Sequence, residues 1–176
     1  MKYTTMVQGY GMTETSPIIS FLNLRHANKE KSSLALLSSG KPLAGVETKL
    51  FDKNVDGVGE LAVRGPSIFA GYDNGTDEVQ GLFEDGWFRT GDMASFDEDG
   101  YLHIVDRKKD MIITGGENVY SKEVEDVLIQ HPKVDEVAVI GLPDEYWGER
   151  VVAVIVCESK VTVSYTHLRA HETDLN

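Results

Sequence analysis

The chain has 176 residues, of which 41% are hydrophobic, and it carries a formal net charge of −12 at pH 7. No apolar run approaches the roughly 18 residues that a membrane-spanning helix needs, and a strongly acidic chain lacks the basic face with which proteins bind nucleic acid. The single cysteine, Cys157, excludes disulfides within the chain and cysteine-rich metal sites, and together with the missing apolar signal segment it favours the cytoplasm.

Near the N-terminus, the stretch QGYGMTETSP brings together glycines, a tyrosine, hydroxyls and a carboxylate. Gly9 and Gly11 allow backbone amides to approach a phosphate, and the ring of Tyr10 can stack on a purine. Thr13 can bind a phosphate oxygen, and Glu14 can ligate Mg²⁺. These properties suit one ligand, a nucleoside triphosphate, whereas the alternative is a glycine-rich turn around a partly buried tyrosine.

The middle of the chain is predicted to be mostly β-structure. Apolar runs over residues 46–51 and 58–63 are bounded by glycine and proline, as strands commonly are. Further along, the pair Asp99-Gly100 separates residues 93–96 from residues 101–105. Such a pair between two apolar runs predicts a β-hairpin.

The pattern changes after Arg107, where we expect a domain boundary near residues 106–109. Ser121 is predicted to cap a helix that Pro132 stops, with acidic residues in its first turn. Its expected apolar face consists of Val124, Val127, Leu128 and His131. The runs VDEVAVIG and VVAVIV then predict two strands, which completes a small β-α-β-β unit.

Five stretches follow one another in a recognisable order: QGYGMTE, GELAVRG, GWFRTGD, YLHIVDRKKDMIITGGENVYSKEVE and VAVIGLPDEYWGERVVAVIV. Over residues 4–157 they closely resemble the adenylate-forming (AMP-binding) superfamily, which includes acyl-CoA synthetases, nonribosomal peptide adenylation domains and luciferases. The segment GGENVYSKEVE is most similar to that of fatty-acyl or aryl CoA ligases, and therefore to enzymes of fatty acid metabolism.

The resemblance implies an α+β fold that is truncated at both ends. Residues 1–106 would form the β-rich C-terminal part of the large ATP-binding domain, and residues 107–158 part of the small α/β lid domain. Residues 159–176 have no periodicity and no glycine or proline, so we expect a disordered or non-native tail.

The implied function is that of an ATP-dependent carboxylate-CoA ligase, an enzyme that forms an acyl-adenylate and then an acyl-CoA thioester. Its substrates would be a small-molecule carboxylic acid, ATP and coenzyme A, with Mg²⁺ as the metal. Two alternatives stay open: a noncatalytic nucleotide-binding module, and part of an adenylation domain of a nonribosomal peptide synthetase. The residues identify neither the acid nor the oligomeric state.

The resemblance also assigns roles to individual residues of the first section. Tyr10 would lie against the adenine. Gly9 and Gly11, on either side of Tyr10 in the sequence, would also belong to the nucleotide site. Thr13 would lie near the α-phosphate and Glu14 on Mg²⁺, which makes this pair the catalytic residues of the section. Further along the chain, Asp92 would bind both ribose hydroxyls and Arg107 the ribose or a phosphate. Each role fits the hydrogen-bonding capacity of the side chain.

The second section carries the residues implied in domain movement and thiol binding. Lys109 occupies the family's hinge position, about which the small domain swings between the two half-reactions. Gly115, Gly116 and Glu117 would line the approach of the coenzyme A thiol, although a plain glycine turn between strand and helix is the alternative. The five histidines of the chain show no ligand spacing, which disfavours a structural metal.

Two family features have no counterpart in the sequence. The glycine-rich phosphate loop that precedes the GYGMTE motif is missing, and no segment after Cys157 matches the setting of the family's C-terminal catalytic lysine. Because a single preorganised charge donor is typically worth about 2.7–4 kcal/mol of transition-state stabilisation, we expect little activity from this chain alone.

Overall fold

The computed structural model describes residues 7–23, 37–72 and 82–157. The predicted tail, residues 159–176, lies outside the described residues. The chain divides into two compact units, Met1–Val105 and Asp106–Asn176, here called the first unit and the second unit. In the part of the chain that the structure describes, no helix has the length and apolar character needed to cross a membrane.

The described residues of the first unit form two antiparallel sheets. The smaller sheet has the strand order β1-β2-β3, and its strands are β1 (Val7–Tyr10), β2 (Ser20–Asn23) and β3 (Lys41–Pro42). A 3-10 turn at Thr13–Thr15 lies between β1 and β2. The backbone amide of Ile19, a fully buried residue, donates to the carbonyl of Tyr10 at 2.7 Å, which closes the β1–β2 hairpin around this turn.

The larger sheet has the strand order β4-β5-β7-β6, and β8 also pairs with β7. Its strands are β4 (Glu47–Phe51), β5 (Gly59–Arg64), β6 (Phe83–Glu84), β7 (Trp87–Phe96) and β8 (Leu102–Arg107). The last two residues of β8 already belong to the second unit. Leu61, Ala62 and Val63 of the central strand β5 are completely buried. Side chains on both faces of β5 are therefore in the core, which explains why its sequence is apolar without alternation.

The predicted strands and hairpin of the first unit are confirmed, within a residue or two for β4, β5 and β8, whereas β7 begins at Trp87, six residues before the predicted start at residue 93. The β7–β8 turn is closed by the amide of Asp97, which donates to the carbonyl of Tyr101 at 3.1 Å, and Gly100 adopts a φ of 78°. The carboxylate of Asp97 accepts the amides of Asp99 and Tyr101. The Asp-Gly pair thus marks the turn because glycine adopts a positive φ without strain.

Over residues 106–157, where the structure describes it, the second unit is a four-stranded sheet with one helix packed on it. The strand order is β10-β9-β12-β11, with β9 (Ile112–Thr114), β10 (Glu117–Val119), β11 (Val134–Asp144) and β12 (Gly148–Cys157). Helix α1 (Ser121–Leu128) joins β10 to β11. Ile112, Val139 and Ala153 form the buried centre, against which Val124 and Leu128 of the helix pack.

The predicted helix is shorter than expected, and its apolar face is narrower. It ends at Leu128, and the following amides of Gln130 and His131 make i→i−3 bonds, so His131 is not helical. Val127 is 66% exposed. Because residues turn by about 100° each in a helix, Val127 projects away from the direction shared by Val124 and Leu128.

The prediction that Ser121 caps the helix is wrong. Ser121 is the first helical residue, and the preceding Tyr120 makes no side-chain cap. Asp106 supplies the cap instead, because its Oδ2 accepts the Ser121 hydroxyl at 2.9 Å and the Lys122 amide at 3.2 Å. A carboxylate also suits the positive end of the helix dipole.

Replacing Asp106 with alanine should destabilise the second unit by about 1 kcal/mol, the usual loss when a helix cap is removed. The change should also speed hydrogen exchange at the Lys122 amide. Thermal unfolding and amide exchange measure the two effects. Asp110→Ala is the matched control, since Asp110 is exposed in the 3-10 turn Lys108–Asp110. If Asp106→Ala and Asp110→Ala lowered the stability of the second unit equally, the capping role of Asp106 would be contradicted.

Candidate functional site

Tyr10 and Asp92, which are 82 positions apart in sequence, are in direct contact. The Tyr10 hydroxyl at the end of β1 donates to Oδ2 of Asp92 on β7 at 2.5 Å. Asp92 is 7% exposed, and its amide donates to the hydroxyl of Thr90, which in turn donates to the carbonyl of Leu61. The structure therefore brings together the two residues predicted to bind adenine and ribose.

The 3-10 turn that carries Thr13 and Glu14 is held by Thr15. The Thr15 hydroxyl accepts the Met12 amide at 3.0 Å and donates to the Met12 carbonyl at 2.8 Å, and the Thr15 side chain is fully buried. Thr13 is exposed and Glu14 half-buried. The second threonine of the motif thus holds the turn together, while the neighbouring Thr13 and Glu14 keep solvent-accessible surface.

The Glu14 carboxylate accepts a hydrogen bond from the Tyr72 hydroxyl. This bond lowers the pKa of the Glu14 carboxyl below its ordinary value and raises the pKa of the Tyr72 phenol. Glu14 is therefore ionised at neutral pH, as a cation ligand must be. Among the described residues no three acidic, histidine or cysteine side chains form a metal-binding group. One carboxylate fits Mg²⁺, which commonly binds through one or two carboxylates plus phosphate oxygens and water.

The two glycines of the motif differ in their surroundings. A Cβ on Gly11 would lie 1.8 Å from the carbonyl oxygen of Pro17, so no side chain fits there. A Cβ on Gly9 would have its nearest contact at 3.7 Å, the Ser20 carbonyl, which is an ordinary van der Waals distance. Gly11 is therefore required by the hairpin itself, whereas Gly9 is exposed and has no packing reason to be glycine.

The remaining predicted residues belong to the second unit and are described within it. Arg107 ends β8, Lys109 lies in the 3-10 turn Lys108–Asp110, and both are exposed. Gly115 and Gly116 connect β9 to β10 with φ values of 60° and 88°. Glu117 is the first residue of β10.

A tryptophan covers the Gly115 turn. The Gly115 amide donates to the carbonyl of Trp147 at 2.9 Å, and a Cβ on Gly115 would lie 2.8 Å from Cε3 of the Trp147 ring. Gly116 has open space around it. A structural reason for glycine thus exists at both positions, because both have positive φ, and packing adds a second reason at Gly115.

Sequence reasoning missed two side chains that organise the first unit. Tyr72 had no signal beyond its place after the GELAVRG stretch. Arg89 lies in the GWFRTGD stretch, and its guanidinium bonds to Glu60, to Glu84 at 2.5 Å and to Asp52 at 3.0 Å. The sequence alone does not reveal such partners, because they lie on different strands whose register was not predicted.

Comparison with known proteins assigns the chain to a family. A family model described as AMP-binding enzyme matches residues 1–73, and another described as AMP-binding enzyme C-terminal domain matches residues 123–173. The chain is 45% identical over 157 residues to the medium/long-chain-fatty-acid–CoA ligase of Mycobacterium tuberculosis, covering 86% of this chain and 27% of that protein. The chain belongs to the AMP-binding enzyme family.

Solved AMP-binding enzymes have the same fold. The o-succinylbenzoate CoA synthetase of Bacillus subtilis with the acyl-adenylate OSB-AMP gives a TM-score of 0.77 at 38% identity, covering 90% of this chain and 32% of that one. The same enzyme in complex with ATP and a magnesium ion gives a TM-score of 0.75 at 38% identity, covering 90% of this chain and 33% of that one. The predicted family and fold class are confirmed, and the chain spans about a third of the length of these two structures. The roles of individual residues stay predictions.

Proposed function

We propose that the chain forms part of the nucleotide site of an ATP-dependent carboxylate-CoA ligase. The contact between Tyr10 and Asp92 is the observation that carries this proposal, because it joins the two residues expected to hold the adenosine. Membership of the AMP-binding family supports it, as do the fatty-acid and o-succinylbenzoate ligases to which the chain is similar.

Tyr10 and Asp92 would hold the nucleoside. The Tyr10 ring would offer a face to the adenine, while its hydroxyl bond to Oδ2 keeps the Asp92 carboxylate in a fixed orientation. An ionised carboxylate has about four acceptor positions, so the Tyr10 hydroxyl leaves capacity for the two ribose hydroxyls. Hydrogen bonds to a charged acceptor are stronger than neutral ones, which suits Asp92 as the anchor of the ribose.

Thr13 and Glu14 would act on the phosphates. The exposed Thr13 hydroxyl can donate to an α-phosphate oxygen, and Gly9 leaves the backbone open for close approach. Glu14 would hold Mg²⁺, which when bound neutralises phosphate charge. The Glu14 carboxylate and the Thr13 hydroxyl thereby orient the triphosphate, and positioning of this kind supplies much of the rate in such reactions.

The proposed reaction has two steps. In the first, a carboxylate oxygen of the acid attacks the α-phosphorus of ATP, and pyrophosphate leaves. In the second, the thiol sulfur of coenzyme A attacks the acyl carbon, its proton is released, and AMP leaves with the electron pair of the broken C–O bond. A free carboxylate resists attack because of its charge, so adenylation creates the leaving group that the second step needs.

The second unit would serve the later step. We propose that Arg107 binds the ribose or a phosphate, that Lys109 is the hinge, and that Gly115, Gly116 and Glu117 border the approach of the thiol. The exposure of Arg107 and Lys109 is compatible with these roles. A cytoplasmic location is part of the same proposal, supported by the single cysteine, Cys157, which is exposed and not in a disulfide.

The proposal is tested at the ribose anchor. Asp92→Ala should weaken ATP binding by about 1.5–3 kcal/mol, the value of hydrogen bonds to a charged group. The original chain and the variant should bind 2′,3′-dideoxy-ATP equally weakly. That ligand lacks the two ribose hydroxyls that would donate hydrogen bonds to Asp92. Calorimetric titration of both nucleotides measures the difference.

Asp56→Ala is the matched control for this experiment, because Asp56 lies in an exposed turn of the same unit. It should bind both nucleotides like the original chain. If Asp92→Ala weakened ATP and dideoxy-ATP by the same factor, the carboxylate would support the fold and not the ribose. If the original chain did not distinguish the two nucleotides, the proposed site would be wrong.

A further inference from the structure

Tyr72 reaches Glu14 from a segment far away in sequence, 58 positions along the chain. Tyr72 is the last described residue of the stretch that follows β5, and its hydroxyl donates to Oε1 of Glu14. Neither the motifs nor the roles proposed above include this tyrosine. Tyr72 contacts Glu14, the one side chain of the first unit that we propose as a ligand of Mg²⁺.

A second bond connects the same two segments. The amide of Phe69 donates to the backbone carbonyl of Glu14 at 2.9 Å. The stretch after β5 therefore holds both the main chain and the side chain of Glu14. Two bonds to one residue fix its position more firmly than either alone, because the second bond forms between groups that are already close.

The Tyr72 ring is itself anchored on the core of the first unit. Its ring packs edge-to-face against Phe69 with centroids 4.9 Å apart, and Phe69 packs in the same way on Phe88 at 5.3 Å. Phe88 is 3% exposed and belongs to the buried cluster of the larger sheet. Packing of the ring on Phe69 thus holds the Tyr72 hydroxyl in place, although 52% of the residue is exposed.

We propose that Tyr72 is a positioning residue that orients the Glu14 carboxylate toward the magnesium ion of Mg·ATP. A glutamate side chain has several rotatable bonds, and a hydrogen bond to one carboxylate oxygen selects one orientation and leaves acceptor capacity for a cation. Groups that hold a metal ligand in this way commonly change metal affinity when they are removed. This inference rests on the proposed function, in which Glu14 holds the cation.

The test uses Mn²⁺ in place of Mg²⁺ and follows free Mn²⁺ by electron paramagnetic resonance at a fixed ATP concentration. Tyr72→Phe removes the hydroxyl and keeps the ring that packs on Phe69. It should weaken Mn²⁺ binding by about tenfold, the lower end for loss of a group that supports a ligand. Glu14→Gln should weaken it at least as much. Binding of ATP without a metal should be the same in all variants.

Tyr101→Phe is the matched control, because it removes a tyrosine hydroxyl from the same unit. The Tyr101 ring lies under Nζ of Lys41 at 4.6 Å, and its hydroxyl makes no hydrogen bond to a side chain among the described residues. Mn²⁺ binding by this variant should match that of the original chain. The double variant Tyr72→Phe with Glu14→Gln should bind no more weakly than Glu14→Gln alone, since the hydroxyl acts through the carboxylate.

The outcomes separate this inference from the proposed function. If Glu14→Gln weakens Mn²⁺ binding and Tyr72→Phe behaves like Tyr101→Phe, the positioning role is wrong and the cation site stands. If Glu14→Gln has no effect, Glu14 is not the cation ligand, and both fail. If Tyr72→Phe weakens metal-free ATP binding as much as Mn²⁺ binding, Tyr72 supports the fold and does not orient the ligand.

Discussion

Replacing Arg89 with methionine is expected to lower the free energy of unfolding of the first unit by about 3–5 kcal/mol. Glu60 is 5% exposed, and the guanidinium of Arg89 is its partner through Nε at 2.9 Å and through a second, shorter contact from Nη2. The bond to Glu60 also raises the pKa of Arg89. Methionine keeps much of the side-chain volume but removes the positive charge that faces the buried Glu60 carboxylate.

Arg64→Met is the matched control for this prediction. Arg64 pairs with Glu47 at 2.5 Å, but both side chains are about half exposed, at 47% and 58%. An exposed pair of this kind contributes only about 0–1 kcal/mol. Urea unfolding followed by circular dichroism compares the two variants. Adding Glu60→Leu to Arg89→Met should recover part of the loss, because an apolar pair needs no buried charge. Equal losses for Arg89→Met and Arg64→Met would refute the prediction.

Gly11→Ala is expected to prevent the β1–β2 hairpin from closing, at a cost on the order of 4 kcal/mol or more. The new Cβ would lie 1.8 Å from the Pro17 carbonyl oxygen and 2.8 Å from Cα of Ile18. Both are backbone atoms, so no side-chain rotation relieves the overlap. Ile19 would then be displaced from the core, where it is completely buried. Thermal unfolding measures the loss.

Gly9→Ala provides the comparison, because it is the same substitution two residues earlier. With its nearest contact at 3.7 Å, the alanine should change stability by no more than about 0.5 kcal/mol. If this variant keeps its stability and loses affinity for ATP, Gly9 has the phosphate role proposed for it. A stable Gly11→Ala variant would show that the turn adopts another conformation, and the packing argument would be wrong.

The elements that the sequence predicted well are those with a local physical signal. Asp99-Gly100 marked the β7–β8 turn because its glycine takes a positive φ, and the apolar runs around residues 46–51 and 58–63 became β4 and β5. The helix was predicted from acidic residues in its first turn, the proline that stops it and an apolar face, of which Val124 and Leu128 pack on the sheet. These signals reside in a few neighbouring residues and need no knowledge of the rest of the fold.

The features that were missed depend on contacts between distant residues. The cap of α1 comes from Asp106, 15 positions before Ser121, so the local rule selected the wrong residue. Tyr72 and Arg89 act across strands whose register was unknown. Motifs identified the candidate ligand-binding residues by resemblance, but only the structure shows that Tyr10 contacts Asp92.

The chain has two tryptophans, and the structure assigns one to each unit. Trp87 is half-buried on β7 with the Arg64 guanidinium 4.5 Å from its ring, whereas Trp147 is 55% exposed beside Tyr146 in the second unit. Their indole emission spectra therefore originate in different environments. Substituting either one by phenylalanine gives a chain with a single tryptophan, and selective excitation of its indole then reports on one unit at a time.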